Sequence, residues 1–172
     1  KKEITQKAKQ RDNRTETLDD DNGFETGFKI LDNWTIATWN VQGLATKTDE
    51  LLMEIKKGKF DITVVTETKK VGKGSKELPE YILIYSGKNK EERAASGVGI
   101  LVRNFLRKRI LSYSWISDRI VTLKLKTGRS HCHIIGVYAP VEGSKKEETE
   151  TFYSQLQDYL DTVGKNDYIV IA

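Results

Sequence analysis

Two polar residues stand where a catalytic or binding group is most easily placed. Asn40 ends the β-rich run WTIATWN, and Glu67 ends the nearly continuous apolar run DITVVTE, each just ahead of a loop. In open α/β sheets, sites gather at the carboxyl ends of the strands. A carboxylate and an amide supply hard oxygen ligands of the kind Mg²⁺ prefers, and that ion takes one or two carboxylates while keeping several waters. Such an ion serves hydrolysis of a phosphodiester, where it neutralises phosphate charge and favours attack by water. Each residue also has a plainer reading. Asn40 ahead of Gly43 is a turn former, and Glu67 ahead of Lys69 and Lys70 is a surface ion pair of little energetic consequence.

Other groups invite chemistry and fall short of it. His131 and His133 share a strand face at a spacing of two, which suits a zinc ligand pair, but no carboxylate accompanies them in sequence and no zinc site is expected. Gly97-Val98-Gly99 lacks the third glycine and following helix of a dinucleotide fingerprint. Gly72-Lys73-Gly74-Ser75 has phosphate-loop composition in the wrong order. Cys132 has no sequence neighbour that would mark it as a nucleophile.

The elements that must hold Asn40 and Glu67 follow from the apolar pattern. After the first strand, Thr46 offers an N-cap with Asp49 three residues on; Leu51, Leu52 and Ile55 follow, and Gly58 is a natural stop. DITVVTE reads as a central strand buried on both faces. Residues 68–80 read as a polar loop. Five further strand candidates are YILIYSG, SGVGILVRN, RILSYSWIS, RIVTLKLK and CHIIGVYA. In RIVTLKLK, Val121, Leu123 and Leu125 alternate with Thr122, Lys124 and Lys126, which predicts one buried and one solvated face. Thr127-Gly128 reads as a hairpin turn. Ser144 and Glu147 form a capping-box pair for a helix lined by Phe152, Leu156, Leu160 and Val163, with Gly164 closing it. YIVIA is a last buried strand. Trp39, Phe152 and Leu156 are expected in the core. The order is a mixed α/β pattern with a hairpin-rich middle.

Bulk properties set the frame. The 172 residues suit one domain, and 37% hydrophobic with 31% charged residues allow a core beneath a wet surface. The net charge of +4 and pI near 9.0 are compatible with a polyanionic partner. A single cysteine excludes an internal disulfide and favours a reducing, intracellular setting. No apolar run is long enough to span a bilayer. Residues 1–30 read as a disordered charged leader, and residues 31–172 as the folded part. A basic arm built on Lys7, Lys9, Arg11 and Arg14 is opposed by Asp19, Asp20 and Asp21.

Five short motifs occur in one order: WNVQGL, TETK around Glu67, SGVGILV, SDRIV and GVYAP. In that order they resemble the endonuclease/exonuclease/phosphatase superfamily, most of all the apurinic-type endonucleases of non-long-terminal-repeat retrotransposons and the host-encoded craniofacial development protein 2-like family derived from them. The resemblance covers about residues 34–172. It implies a two-sheet α/β sandwich of the DNase I-like type, helices outside, using Mg²⁺ (or Mn²⁺) to nick DNA through contacts with the phosphodiester backbone. It also implies a nuclear location. Carried over by position, Glu67 resembles the metal-binding glutamate, and Asn40 the asparagine that holds the catalytic cluster and the phosphate. Tyr138 resembles the tyrosine that contacts the scissile phosphate, and Arg119 an arginine near the phosphate-binding face. By residue type alone, Tyr138 is a strand-end aromatic and Arg119 a solvated strand-start cation.

The chain departs from the pattern in three respects. Gln42 stands where apurinic endonucleases place an aspartate, and Val141 where an asparagine is common, which weakens the case for abasic-site specificity. In the family a strand like YIVIA runs on into Gly-Asp-Phe-Asn and a later aspartate–histidine pair, which the 172 residues do not include. The expectation is therefore an incomplete domain, inactive or nearly so, with an apolar sheet face and an open edge at YIVIA. Two other functions fit the same motifs: a non-catalytic nucleic-acid-binding module, and an inositol-phosphate or sphingomyelin phosphodiesterase.

Overall fold

Strand pairing follows the apolar runs closely. The computed structural model describes residues 33–88 and 96–172, so the expected leader lies outside the described residues. The first sheet contains β1 (Ile36–Asn40), β2 (Ile62–Thr66), β3 (Lys73–Leu78), β4 (Tyr81–Ser86) and β5 (Val98–Arg103), in the order β1-β2-β5-β4-β3. The second contains β6 (Ile110–Ser117), β7 (Ile120–Thr127), β8 (Ser130–Val137) and β9 (Tyr168–Ile171), in sequence order. Two pairs are parallel, β1 with β2 and β8 with β9. Each of these needs a crossover, and α1 (Thr48–Lys57) and α2 (Lys146–Leu160) supply them.

Four layers result. Between the sheets lie Ile62, Val64, Ile84, Ile100, Val121, Leu123 and Ile134, all fully buried. Leu51 and Ile55 of α1 cover the outer face of the first sheet with Leu44, Val65 and Leu101. Phe152 of α2 covers the outer face of the second with Ile120 and Ile135, flanked by Leu156 and Leu160. At about 25 cal/mol per Å² of apolar surface, these interfaces supply the main drive for folding. This is the α/β two-sheet sandwich expected from the motif order. Among the described residues, no helix is long and apolar enough to cross a membrane.

Several local expectations are corrected. Residues 68–80 are not all loop, because Lys73–Leu78 pairs with β4 from Lys73 opposite Ser86 to Leu78 opposite Tyr81. Neither helix uses its expected cap. α1 starts at Thr48, whose hydroxyl donates to the Leu44 carbonyl, and α2 starts at Lys146; neither N-cap residue makes a side-chain capping bond. α2 ends at Leu160, short of Val163 and Gly164. Gly58 ends α1, but with φ −71° rather than a left-handed turn; the left-handed residue is Lys59, φ 54°. Gly58 is needed for space, since a Cβ there would meet the Phe60 ring at 2.3 Å. On β7 the expected solvated face is partly covered, with Thr122 buried beneath α2 while Lys126 remains exposed. The hairpin at Thr127-Gly128 forms as expected, with Thr127 opposite Ser130. β9 has one strand neighbour among the described residues and exposes Ile169 and Ile171.

Candidate functional site

β1 and β2 run parallel in register, so Asn40 lies opposite Thr66 and the loops that follow emerge side by side. The two loops are stitched by backbone bonds from Val41 N to Thr66 O (3.0 Å), Gly43 N to Glu67 O (2.8 Å) and Leu44 N to Thr68 O (2.9 Å). On the other flank, Thr68 N donates to Gly97 O and Lys69 N to Ser96 O. Gly97 has φ +114°, and a Cβ there would meet Thr68 Oγ1 at 2.4 Å, so the close approach requires glycine. Gln42, Glu67 and Lys69 all adopt left-handed backbone, with φ 51°, 53° and 52°. Such conformations cost about 1–3 kcal/mol each and cluster where surroundings hold a functional geometry.

These loops bring Asn40, Glu67 and Tyr138 together. Asn40 Nδ2 donates to Glu67 Oε1 at 2.6 Å, and the Tyr138 hydroxyl donates to the same oxygen at 3.3 Å. Gln42 N donates to Asn40 Oδ1 at 3.2 Å, which fixes the amide orientation. Asn40 is exposed, and Glu67 and Tyr138 are half-buried. Glu67 Oε2 accepts no hydrogen bond among the described residues. Burial raises the Tyr138 pKa, the Glu67 charge and hydrogen bond raise it further, and Arg119 opposes them. Tyr138 is thus held protonated as a hydrogen-bond donor.

Arg119 reaches the same neighbourhood in a different role. Its Nη1 donates to the Tyr138 carbonyl at 3.1 Å, its Nη2 contacts Glu148 Oε1 at 2.5 Å, and its guanidinium carbon lies 5.4 Å from the centre of the Tyr138 ring. The backbone repeats the link through Tyr138 N and Arg119 O at 2.9 Å. Sequence reasoning misses Glu148, in the first turn of α2, because nothing in KKEETE distinguishes it from its neighbours. Beside this pair a groove of about 350 Å³ is lined by Ser117, Asp118, Arg119, Glu148 and Phe152.

Basic residues border the site. Lys69 is exposed, and Lys70 Nζ sits 4.4 Å over the Tyr85 ring. Burial, then the nearby Lys76, lowers the Lys70 pKa. Among the described residues there is no cluster of three or more histidine, cysteine or acidic side chains arranged to hold a metal. The available set is one carboxylate, Glu67, beside an amide. That set fits Mg²⁺ or Mn²⁺ with a largely water coordination sphere, and not a nitrogen–sulfur zinc site. Cys132 is buried, and burial, then Asp167, pushes its thiol up to about 11. It is no nucleophile at neutral pH.

No protein-family model matches the chain. Craniofacial development protein 2 of Bos taurus is 27% identical over 141 residues, 81% of this chain and 24% of that protein. The chain thus spans about a quarter of that curated relative's length. Among solved structures, the Xenopus laevis APE2 catalytic domain superposes with a TM-score of 0.61 at 15% identity, covering 79% of this chain and 56% of that one. An AP endonuclease from Archaeoglobus fulgidus gives 0.57 at 21% identity, covering 79% and 55%. D. rerio TDP2 complexed with single-strand DNA product gives 0.53 at 11% identity, covering 79% and 58%. By sequence the chain is similar to craniofacial development protein 2, and its fold is the DNase I-like two-sheet α/β sandwich of the AP endonucleases and TDP2.

Proposed function

We propose that the chain carries the metal- and phosphate-facing part of a phosphodiester hydrolase site directed at DNA, of the retrotransposon endonuclease type. The observation that carries this reading is the convergence of Asn40 and Tyr138 on one oxygen of Glu67, from three strand ends in two sheets. Glu67 would hold Mg²⁺ or Mn²⁺ through its remaining oxygen. The bound ion would neutralise phosphate charge and activate water. Asn40 fixes the Glu67 carboxylate, and Tyr138 presents a protonated hydroxyl that can turn to a phosphate oxygen. Arg119 holds the Tyr138 strand end, while Lys69, Lys70 and Lys73 face the phosphate backbone electrostatically. DNA as the substrate is supported by the single-strand DNA product bound to D. rerio TDP2.

The described residues bring one carboxylate and no histidine to this centre. General acid–base groups contribute about 10²–10⁴-fold each. Turnover by the 172 residues alone is therefore expected to be negligible, with metal and DNA binding retained. That same composition favours a second reading, a binding module without turnover. We further propose residues 31–172 as the domain and the nucleus as its location, both by the resemblance to retrotransposon endonucleases. Plasmid nicking tests the low turnover. Background-level nicking is expected of the purified chain in Mg²⁺. Clear Mg²⁺-dependent nicking, abolished by Glu67→Ala, would contradict the low turnover.

A further inference from the structure

The motif order sets Arg119 near a phosphate-binding face, but the fold leaves its side chain only 17% exposed and gives it other partners. Nη1 donates to the Tyr138 carbonyl at 3.1 Å, and Nη2 to Glu148 Oε1 at 2.5 Å. The guanidinium carbon lies 5.4 Å from the centre of the Tyr138 ring. A planar guanidinium can serve a carbonyl, a carboxylate and an aromatic face at once, which a lysine ammonium cannot. Of its two hydrogen bonds, the one to Glu148 is shorter and joins two charges, so it is the stronger. The neutral carbonyl is the weaker hold.

A phosphate approaching Arg119 meets an occupied group in unfavourable surroundings. Glu148 already supplies Nη2 with the anionic oxygen that a phosphate would bring. The adjoining groove sets Asp118, Glu147 and Glu148 against Lys88 and Arg119, so its carboxylates outnumber its cations and repel a polyanion. Residues 68–76 carry Lys69, Lys70, Lys73 and Lys76 with no acidic residue among them. An acidic residue in the first turn of a helix has a plainer use, since it complements the helix dipole, and exposed ion pairs contribute little. Glu147 sits in the same first turn and serves the dipole as well, yet Glu148 is the residue bonded to the guanidinium. The dipole therefore does not account for the pairing.

We propose that Glu148 is a positioning residue, which holds the Arg119 guanidinium against Tyr138 and off the phosphate. Arg119 then braces the tyrosine whose hydroxyl meets Glu67 at 3.3 Å, and it makes no phosphate contact of its own. The backbone of the nucleic acid is met by the lysines of residues 68–76 instead. The chain of contacts runs from α2 through Arg119 and Tyr138 to Glu67, so a helix on the outer face of one sheet sets a side chain that reaches the other. The bracing stands on the fold alone, whereas the statement about phosphate rests on the proposed DNA-directed site.

Two measurements on the intact chain test the two halves. NMR of the arginine side-chain nitrogens follows rotation of the Arg119 guanidinium. Anchored through both Nη atoms, it is expected to rotate slowly and give separate Nη–H signals in the wild type. The same is expected in Glu147→Ala, which removes a carboxylate from the same turn and groove. In Glu148→Ala, where a side chain 42% exposed leaves no buried cavity, the signals are expected to merge as in a free arginine. Merged signals in the wild type, or separate ones in Glu148→Ala, would overturn the bracing. Fluorescence anisotropy with duplex DNA over a range of salt tests the other half, since each phosphate contact adds about 0.9 to the slope of log affinity against log salt. Arg119→Ala is expected to keep the wild-type slope, and a slope smaller by about 0.9 would make Arg119 a phosphate contact and sink the proposal. Failure of every chain to bind DNA would count against the DNA-directed site itself, and the guanidinium signals would then decide the positioning role on their own.

Discussion

The Tyr138 hydroxyl donates to Glu67 Oε1 at 3.3 Å across 71 positions of sequence. Glu67 follows β2 of the first sheet and Tyr138 follows β8 of the second, so this bond closes the two sheets over one carboxylate oxygen. Asn40 donates to the same oxygen at 2.6 Å. Two donors on one oxygen orient the carboxylate.

Tyr138 should report on that arrangement through its own titration. Burial and Glu67 raise its pKa while Arg119 lowers it. Glu67→Gln is expected to bring the phenol down toward its ordinary value near about 10, and Arg119→Ala to drive it higher. Ultraviolet absorbance difference titrations against Tyr138→Phe measure both shifts. The raised value also gives the sign for stability: the contribution is complete below about 10 and is lost as pH rises through the folded value. No change in Glu67→Gln would mean the bond is not maintained in solution.

The frame behind the site should depend on Asp61. Its Oδ2 accepts from Thr35 N at 2.9 Å, and its Oδ1 lies 3.4 Å from Arg103 Nη1, tying the approach to β1 to the end of β5. Asp61 is buried, so Asp61→Ala leaves the part-buried Thr35 N–H without its acceptor and is expected to cost about 1–3 kcal/mol. Gly58→Ala should cost a similar amount, about 1–3 kcal/mol, by pushing the Phe60 ring off α1. Urea denaturation midpoints read both, and a loss under about 0.5 kcal/mol in either variant would contradict its assignment.

DNA affinity should fall steeply with salt if Lys69, Lys70 and Lys73 meet the backbone. Each phosphate contact contributes about 0.9 to the slope of log affinity against log salt on duplex DNA. Lys70→Ala and Lys73→Ala are each expected to reduce the slope by about that amount and to weaken binding uniformly across sequences. Fluorescence anisotropy with two unrelated duplexes makes the measurement. A slope unchanged by either substitution would place the DNA elsewhere.

The layout of strands and the site are legible in the sequence for different reasons. Runs such as Ile62–Thr66 and Val98–Arg103 are largely apolar and buried on both sides because both faces of the first sheet are covered. Asn40 and Glu67 are readable because strand ends are visible in sequence. β3 escapes a sequence reading because Lys73–Leu78 is polar and lies at a sheet edge, where its backbone pairing with β4 defines the strand and its side chains do not. Thr46 and Ser144 have cap-forming side chains, but the helices begin two residues further on in each case, so type and spacing alone misplace both starts. Alternation assigns Thr122 to solvent because it says which residues share a face, not whether a helix will cover it. Asp167 and Glu148 are invisible as partners: each lies about 30 positions from its contact, 34 for His133 with Asp167 and 29 for Arg119 with Glu148.

Binding of Mn²⁺, followed by its effect on water proton relaxation, tests the central claim most directly. The purified chain is expected to bind one ion that Mg²⁺ displaces, Glu67→Ala to lose it, and Asn40→Ala to weaken it, while all three stay folded by circular dichroism. Equal Mn²⁺ binding by the wild type and Glu67→Ala, or none by the wild type, would contradict the assignment of Glu67 as the metal-holding carboxylate.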